Sequence, residues 1–274
     1  MGLRVNTNVT SINAQRNLFQ VNQRLSKNYN HLSTGLRIAS AADDSAGLAI
    51  SERLRAQIRS LSQAERNAND AVSLVQTGEG ALNEVNNILV RMRELAVQAS
   101  NGTVSATDKE TLQTEFAALR SEITRISQST EFNGIKLLDG SAAAVGIQVG
   151  IDTNTYDSIA VDVTTNRNAA SLGLATGIDT AVNATGAMAE VLAAIDTVSS
   201  ARSDFGAIQN RLEVSIRNIN NQTENLSAAN SRIRDVDVAK ETSTMTSYQI
   251  LQQAGVSMLA QANMTTGLAM TLLS

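Results

Sequence analysis

Residues 50–99 read ISERLRAQIRSLSQAERNANDAVSLVQTGEGALNEVNNILVRMRELAVQA, and their spacing decides the fold class. Ile50, Leu54, Gln57, Leu61, Ala64, Ala68, Ala71, Val75, Gly78, Leu82, Val85, Leu89, Met92, Ala96 and Ala99 alternate steps of four and three. Gln57 alone is polar, and Gly78 reads as a place of close contact. A 3.5-residue repeat keeps one seam of a helix turned toward a partner helix, the geometry of a coiled coil. A helix over 45–100 would be about 80 Å long at 1.5 Å per residue.

A second series of the same kind lies further along. Ala184, Ala187, Val191, Ala194, Val198, Ala201, Phe205, Ile208, Leu212, Ser215, Ile219, Gln222, Leu226, Ala229 and Ile233 alternate three and four. The two seams match in length, so antiparallel pairing is the simplest packing. Between them, Asn101-Gly102 breaks the first helix. Thr107-Asp-Lys-Glu110 then reads as a capping box that starts a third, shorter helix. Leu112, Phe116, Leu119, Ile123 and Ile126 give that helix its own seam. Asn133-Gly134 and Asp139-Gly140 are turn signals. VGIQVGIDTNTYDSIAVDV alternates apolar and polar around DTNT, which predicts a β-hairpin of about 145–151 and 157–163. Residues 165–180, rich in Asn, Ala, Gly and Thr, read as a connection.

The outer ends carry patchier apolar faces: Val5, Val9, Ile12, Leu18, Val21, Leu25 and Leu32 at one, and Tyr248, Leu251, Met258, Leu259, Leu268, Leu272 and Leu273 at the other. Antiparallel pairing of the long helices brings these ends together as a two-helix unit too thin to bury both faces. Exposed apolar stripes of that kind mark an interaction surface.

Composition narrows the function. The 274-residue chain has no Pro, Cys or Trp, one His and 3% aromatic residues. Without Pro the strongest helix breaker is missing, and without Cys there is no disulfide or thiolate chemistry. A net charge of −4 argues against a nucleic-acid binder, which needs a basic face. No stretch approaches the ~18 apolar residues of a membrane-spanning helix. The first residues lack the apolar run of a cleaved signal peptide.

Candidate chemistry is sparse. Asp43-Asp44 lack the pocket and partner groups that acid–base work or a magnesium site requires; Asp44 or Ser45 as the cap of the long helix is the better reading. His31 stands alone, with neither a triad nor a zinc set, and reads as a packed or surface histidine. TGEGAL at 77–82 lacks the Lys-Ser/Thr of a phosphate loop and falls inside the heptad series. Asn-x-Thr matches at 8, 101, 183 and 221 are expected by chance in a chain this rich in Asn and Thr. Catalytic, cofactor-binding and metal-binding residues are all expected to be absent.

Several segments together resemble one family, the bacterial flagellins: LSTGLRIASAADDSAGLAISERLRAQIRSL (32–61), QAERNANDAVSLVQTGEGALNEV (63–85), RMRELAVQASNGT (91–103), EFNGIKLLDG (131–140), IQVG (147–150), RIRDVDVAKE (232–241) and MLAQAN (258–263). The resemblance implies a non-enzymatic structural subunit that polymerises into the flagellar filament for swimming motility. Residues 1–44 and 235–274, with the joint 33–44, would pair as the inner core. Residues 45–234 would form the rod domain, with the hairpin at 145–163 and the connection at 165–180. Self-assembly is assigned to Val5, Val9, Ile12, Leu18, Leu25, Leu32, Arg37, Leu251, Met258, Leu259, Leu268, Leu272 and Leu273. Arg53 and Arg55 are placed with Arg37 at subunit contacts.

The partners implied are other copies of the chain, flagellar cap and hook–filament junction proteins, an export chaperone and the flagellar type III export apparatus, with no nucleic acid and no membrane. The location implied is extracellular, reached without a cleavable signal. A host Toll-like receptor is a further implied partner, through Arg91, Leu95 and Glu115, although Val90 stands where the family usually has Gln. About fifteen residues occupy the place of the family's variable outer domain, so a short form is expected. The C-terminus AQANMTTGLAMTLLS lacks the family's common Pro and final Arg. The competing readings are a hook–filament junction protein and a chemoreceptor-like helical hairpin. The fold expected throughout is mainly α, a long antiparallel coiled-coil bundle with a small β-hairpin.

Overall fold

The computed structural model describes residues 7–271, with side chains up to Met264. Five helices carry the chain: α1 (Val9–Thr34), α2 (Ser45–Ser100), α3 (Ala106–Ser129), α4 (Ala181–Arg234) and α5 (Val238–Thr271). Between α3 and α4 lie two antiparallel strand pairs, β1 (Glu131–Phe132) with β2 (Ile135–Lys136), and β3 (Val145–Gln148) with β4 (Ser158–Val161). The fold is mainly α with a small β element. The chain divides into two compact units, 1–56 with 225–274 and 57–224, so α2 and α4 each contribute to both.

In the unit 57–224 the heptads do what their spacing dictates. From Leu61 to Ala99 every seam residue of α2 is buried, and so are Ala184 to Phe205, Leu212 and Ile219 on α4. The helices run antiparallel: Leu212 packs with Ala68 and Ala71, while the Phe205 ring covers Gly78. A Cβ at Gly78 would lie 2.8 Å from Phe205 Cε2, so the seam admits an aromatic ring only because glycine faces it. Phe116 and Ile123 of α3 close the third side, both buried.

The start of α3 corrects the expected cap. Ser105, not Thr107, is the N-cap: it is extended (φ −67°, ψ 160°), and its hydroxyl oxygen accepts from the Asp108 amide at 3.3 Å. Its own hydroxyl donates to Asp108 Oδ2 at 2.6 Å, so the box is Ser-x-x-Asp and begins two residues earlier. Thr107 already lies within the helix.

Asn133-Gly134 makes a tight hairpin of β1 and β2, with φ of 49° and 79° at the two turn residues. Positive φ at both is what a primed two-residue turn needs, and Asn-Gly tolerates it best. The larger hairpin pairs Val145 with Val161, Ile147 with Ile159 and Gln148 with Ser158. It is shorter than the alternation suggested, since Thr155–Asp157 turn into a 3-10 helix and the Asp157 carbonyl accepts from the amides of both Val149 and Gly150.

The segment 165–180 is more than a connection. Ala169, Leu172, Leu174 and Ile178 are buried in the main core. Glu190 on α4 accepts the amides of Ala175 and Thr176, each at 3.0 Å, and Gln113 on α3 accepts that of Ile178. A strandless segment can enter a core only if its amides find partners, and these two side chains supply them.

Candidate self-assembly surface

The unit 1–56 with 225–274 pairs α1 with α5. The joint between α1 and α2 is built on short polar contacts. Gly35 ends α1 with φ 71°, and its carbonyl accepts the Val236 amide at 3.0 Å. Asp44 caps α2, its Oδ1 accepting from the Gly47 amide at 2.9 Å. Asp43 accepts the Ala39 and Ser40 amides and the Ser40 hydroxyl through Oδ2, and meets Lys27 Nζ at 2.7 Å through Oδ1. The Lys27 ammonium and then the Ser40 amide hold the Asp43 carboxyl well below the usual carboxylate range. Both aspartates are therefore structural, and the helix-cap reading of Asp44 holds. Gly47 lets Ile38 approach, since a Cβ there would lie 2.7 Å from Ile38 Cδ1. Ser51 donates to Asn230 Oδ1 at 2.7 Å, and Glu52 meets both Arg55 and Arg234.

Within the helix pair, the inward side of α1 mixes polar with apolar residues. The buried residues of α1 are Ser11, Leu25, Asn28 and His31, three of the four polar. Their contacts explain how they are tolerated. Ser11 Oγ donates to Asn263 Oδ1 at 2.9 Å and Asn8 Nδ2 to the Ala262 carbonyl at 2.8 Å. Gln252 Nε2 donates to Asn22 Oδ1 at 2.8 Å, and Gln249 Nε2 to the Tyr29 hydroxyl at 3.1 Å. His31 Nδ1 lies 3.0 Å from Glu241 Oε1.

The apolar residues go the other way. Val9, Ile12 and Phe19 are exposed along one side of α1, Phe19 by 63%. Ile250, Leu251, Val256, Met258 and Met264 are exposed on α5, Met258 by 65%. Of the assembly residues expected from sequence, Val9, Ile12, Leu251 and Met258 therefore lie on this outward face. Leu25 is buried, and Leu18, Leu32 and Leu259 are half-buried, on the inward side. Leu18 packs at Gly255, where a Cβ would lie 3.1 Å from Leu18 Cδ1. Arg37 donates its guanidinium to the Ile233 carbonyl and its amide to that of Arg234, at the end of α4. Val5, Leu272 and Leu273 lie outside the described residues, as does the side chain of Leu268. Phe19, Ile250, Val256 and Met264 are exposed apolar residues outside the sequence-based assignment, although Phe19 stands seven residues after Ile12.

Both terminal helices thus carry exposed apolar side chains, and relatives of known name identify the family. The bacterial flagellin N-terminal helical region matches residues 5–143, and the flagellin C-terminal helical region matches 188–273. The chain belongs to the bacterial flagellin family. A flagellin of Halalkalibacterium halodurans is 50% identical over 262 residues, covering 94% of this chain and 95% of that one. The flagellin of Bacillus subtilis strain 168 is 44% identical over 294 residues, covering 95% and 96%. The crystal structure of Bacillus cereus flagellin is 34% identical, with a TM-score of 0.51 over 60% of this chain and 94% of that one. The chain is thus a structural subunit of the flagellar filament, in a short form.

The residues that the flagellin resemblance linked to an immune receptor lie in the other unit. Arg91 is bidentate to Glu115 through Nε and Nη2, both at 2.9 Å, and Nη1 meets Glu94 at 3.0 Å. These three are exposed, whereas Leu95 is buried with 1% exposure. Arg91 and Glu115 come together at the surface. Leu95 belongs to the core beneath them.

Proposed function

We propose that this flagellin polymerises through the outward apolar faces of α1 and α5, which neighbouring copies cover in the filament. The observation that carries the reading is the exposure of Val9, Ile12, Phe19, Leu251 and Met258 on a helix pair whose interior is partly polar. Large apolar exposure on both terminal helices, in a family whose members build filaments, supports covering by copies of the same chain. Residues 1–44 and 235–274 form the assembly core in this reading, and both segments fall within one compact unit. Val5, Leu268, Leu272 and Leu273 are assigned to assembly on their sequence pattern alone. Leu18, Leu25, Leu32 and Leu259 serve assembly from inside the pair, and Arg37 does so by tying the joint to α4.

The wider reading follows the same family. The subunit reaches the cell exterior through the flagellar type III export apparatus with an export chaperone, and contacts cap and junction proteins at the filament ends. A receptor of the Toll-like class would meet the exposed Arg91–Glu115 pair. The role is that of a structural protein, as in the family; among the described residues no helix is long and apolar enough to cross a membrane.

Seeded polymerisation of the purified subunit tests the central claim. The double substitution Ile12→Lys with Met258→Lys is expected to keep the parent's helical content and lose filament growth. Filaments of parental length from the double variant would overturn the reading, and closed rings from the parent would favour a junction protein.

A further inference from the structure

Asn28, His31 and Glu241 form a polar layer in the α1–α5 pair, with Asn28 and His31 buried and Glu241 half-buried. Glu241 Oε1 lies 3.0 Å from His31 Nδ1. With its amide oriented to suit its neighbours, Asn28 Nδ2 donates to the same Oε1 at 3.2 Å and to the Arg24 carbonyl at 3.2 Å. The imidazole and the Asn28 side chain are almost fully buried, and His31 Nε2 is buried without a hydrogen-bond partner among the described residues. Such a layer is a poor source of stability, because a buried carboxylate with its partners is commonly no better than an apolar set of equal volume. Its distinguishing property is selectivity. An apolar seam tolerates a slip of one helical turn, since apolar groups meet apolar groups again. The hydrogen bonds of Asn28 and His31 to Glu241 form in one register and are lost in any other.

We propose that the Asn28–His31–Glu241 layer is the register lock of the terminal helix pair. By fixing α5 against α1 it sets how the exposed Val9, Ile12 and Phe19 of one helix are placed along the axis relative to the exposed Leu251 and Met258 of the other. The link to assembly rests on the outward face being the polymerisation surface; the lock itself does not. Asn22 with Gln252 and Tyr29 with Gln249 each include an exposed partner that water can replace, whereas buried Ser11 adds a further polar contact through Asn263. The Asn28–His31–Glu241 layer differs from that last pair in bringing three polar side chains, one of them a carboxylate, to a single spot.

The chain has no cysteine, so disulfide trapping reads the register against a clean background. Leu18→Cys with Gly255→Cys reports the native register, because the Leu18 side chain lies at the Gly255 position. Leu18→Cys with Leu251→Cys, or with Leu259→Cys, reports a slip of one turn either way. In the otherwise unaltered chain the 18–255 cross-link should exceed both slipped ones by about tenfold, the ratio set by a 1.4 kcal/mol preference. In the apolar variant Asn28→Leu/His31→Leu/Glu241→Leu the slipped cross-links should approach the native one, with no fall in thermal midpoint, and filament growth should slow. The amide variant His31→Gln/Glu241→Gln, which keeps hydrogen bonding in the layer, should restore the single register. It also guards against a folding defect in the apolar set. Cross-links confined to 18–255 in the apolar variant would overturn the lock, whatever its filament yield. Slipped cross-links with undiminished filament growth would leave the lock standing and count against the outward face as the assembly surface.

Discussion

The α2–α4 seam and the α1–α5 pair are both antiparallel helix pairs within one chain, yet they bury opposite kinds of residue. The first hides Ala, Leu, Val and Phe almost completely and turns its polar residues to water. The second hides Ser11, Asn28 and His31 and shows Phe19, Ile250, Leu251 and Met258. A pair built the first way draws its stability from its own core. The second leaves several large apolar side chains exposed beside a mixed interior. Under the proposed assembly, stability of the subunit and cohesion of the polymer draw on different regions of the chain.

Substitutions can break or sharpen that contrast. The largest effect on the isolated subunit is expected at Phe116→Ala, which empties a fully buried site and should cost about 3–5 kcal/mol, read by urea unfolding. Next comes Gly78→Ala. Its new methyl meets the Phe205 ring and should cost about 1–3 kcal/mol, partly recovered by adding Phe205→Leu. Asp44→Ala removes the cap of α2 and should cost about 1 kcal/mol.

Asp43 gives a pH test with a definite sign. Its carboxyl is held below the ordinary value by Lys27 and the Ser40 amide. The stability it adds is therefore present above the unfolded value of about 3.9 and is lost as pH falls below it. Thermal midpoints measured from pH 6 down to 2 should fall less steeply for Asp43→Asn than for the parent. At the small end, Ile12→Lys or Met258→Lys should change subunit stability by no more than about 0.5 kcal/mol. A large loss there would mean that the outward face is part of the subunit's own core, and the contrast between the two pairs would fail.

Legibility followed the same division. Both long helices ended where the heptads and turn signals placed them, because burial of a regular apolar stripe decides such helices and the stripe is local information. The cap of α3 was misplaced because Ser105-x-x-Asp108 and Thr107-x-x-Glu110 offer overlapping boxes, and the backbone took the earlier one. The segment 165–180 was read as a plain connection because its anchors, Glu190 and Gln113, come from two other elements. On α1 the sequence pattern puts Val5, Val9, Ile12, Leu18, Val21, Leu25 and Leu32 on one apolar face, whereas the structure buries Leu25, half-buries Leu18, Val21 and Leu32 and exposes Val9 and Ile12. The polar members of that seam could not be recognised alone, since a buried asparagine or histidine looks like a surface residue until its partner is known.

The sequence by itself determined the helices, their lengths, the antiparallel long seam and membership of the flagellin family, since periodicity and short motifs are properties of neighbouring residues. Tertiary structure alone decided which side of the terminal helices faces inward. Each carries a mixed stripe and a second apolar stripe, and either could be buried as far as local pattern goes. The choice falls to hydrogen bonds such as that between His31 and Glu241, made across 210 residues of chain. A buried polar group is tolerated only where such a partner is waiting.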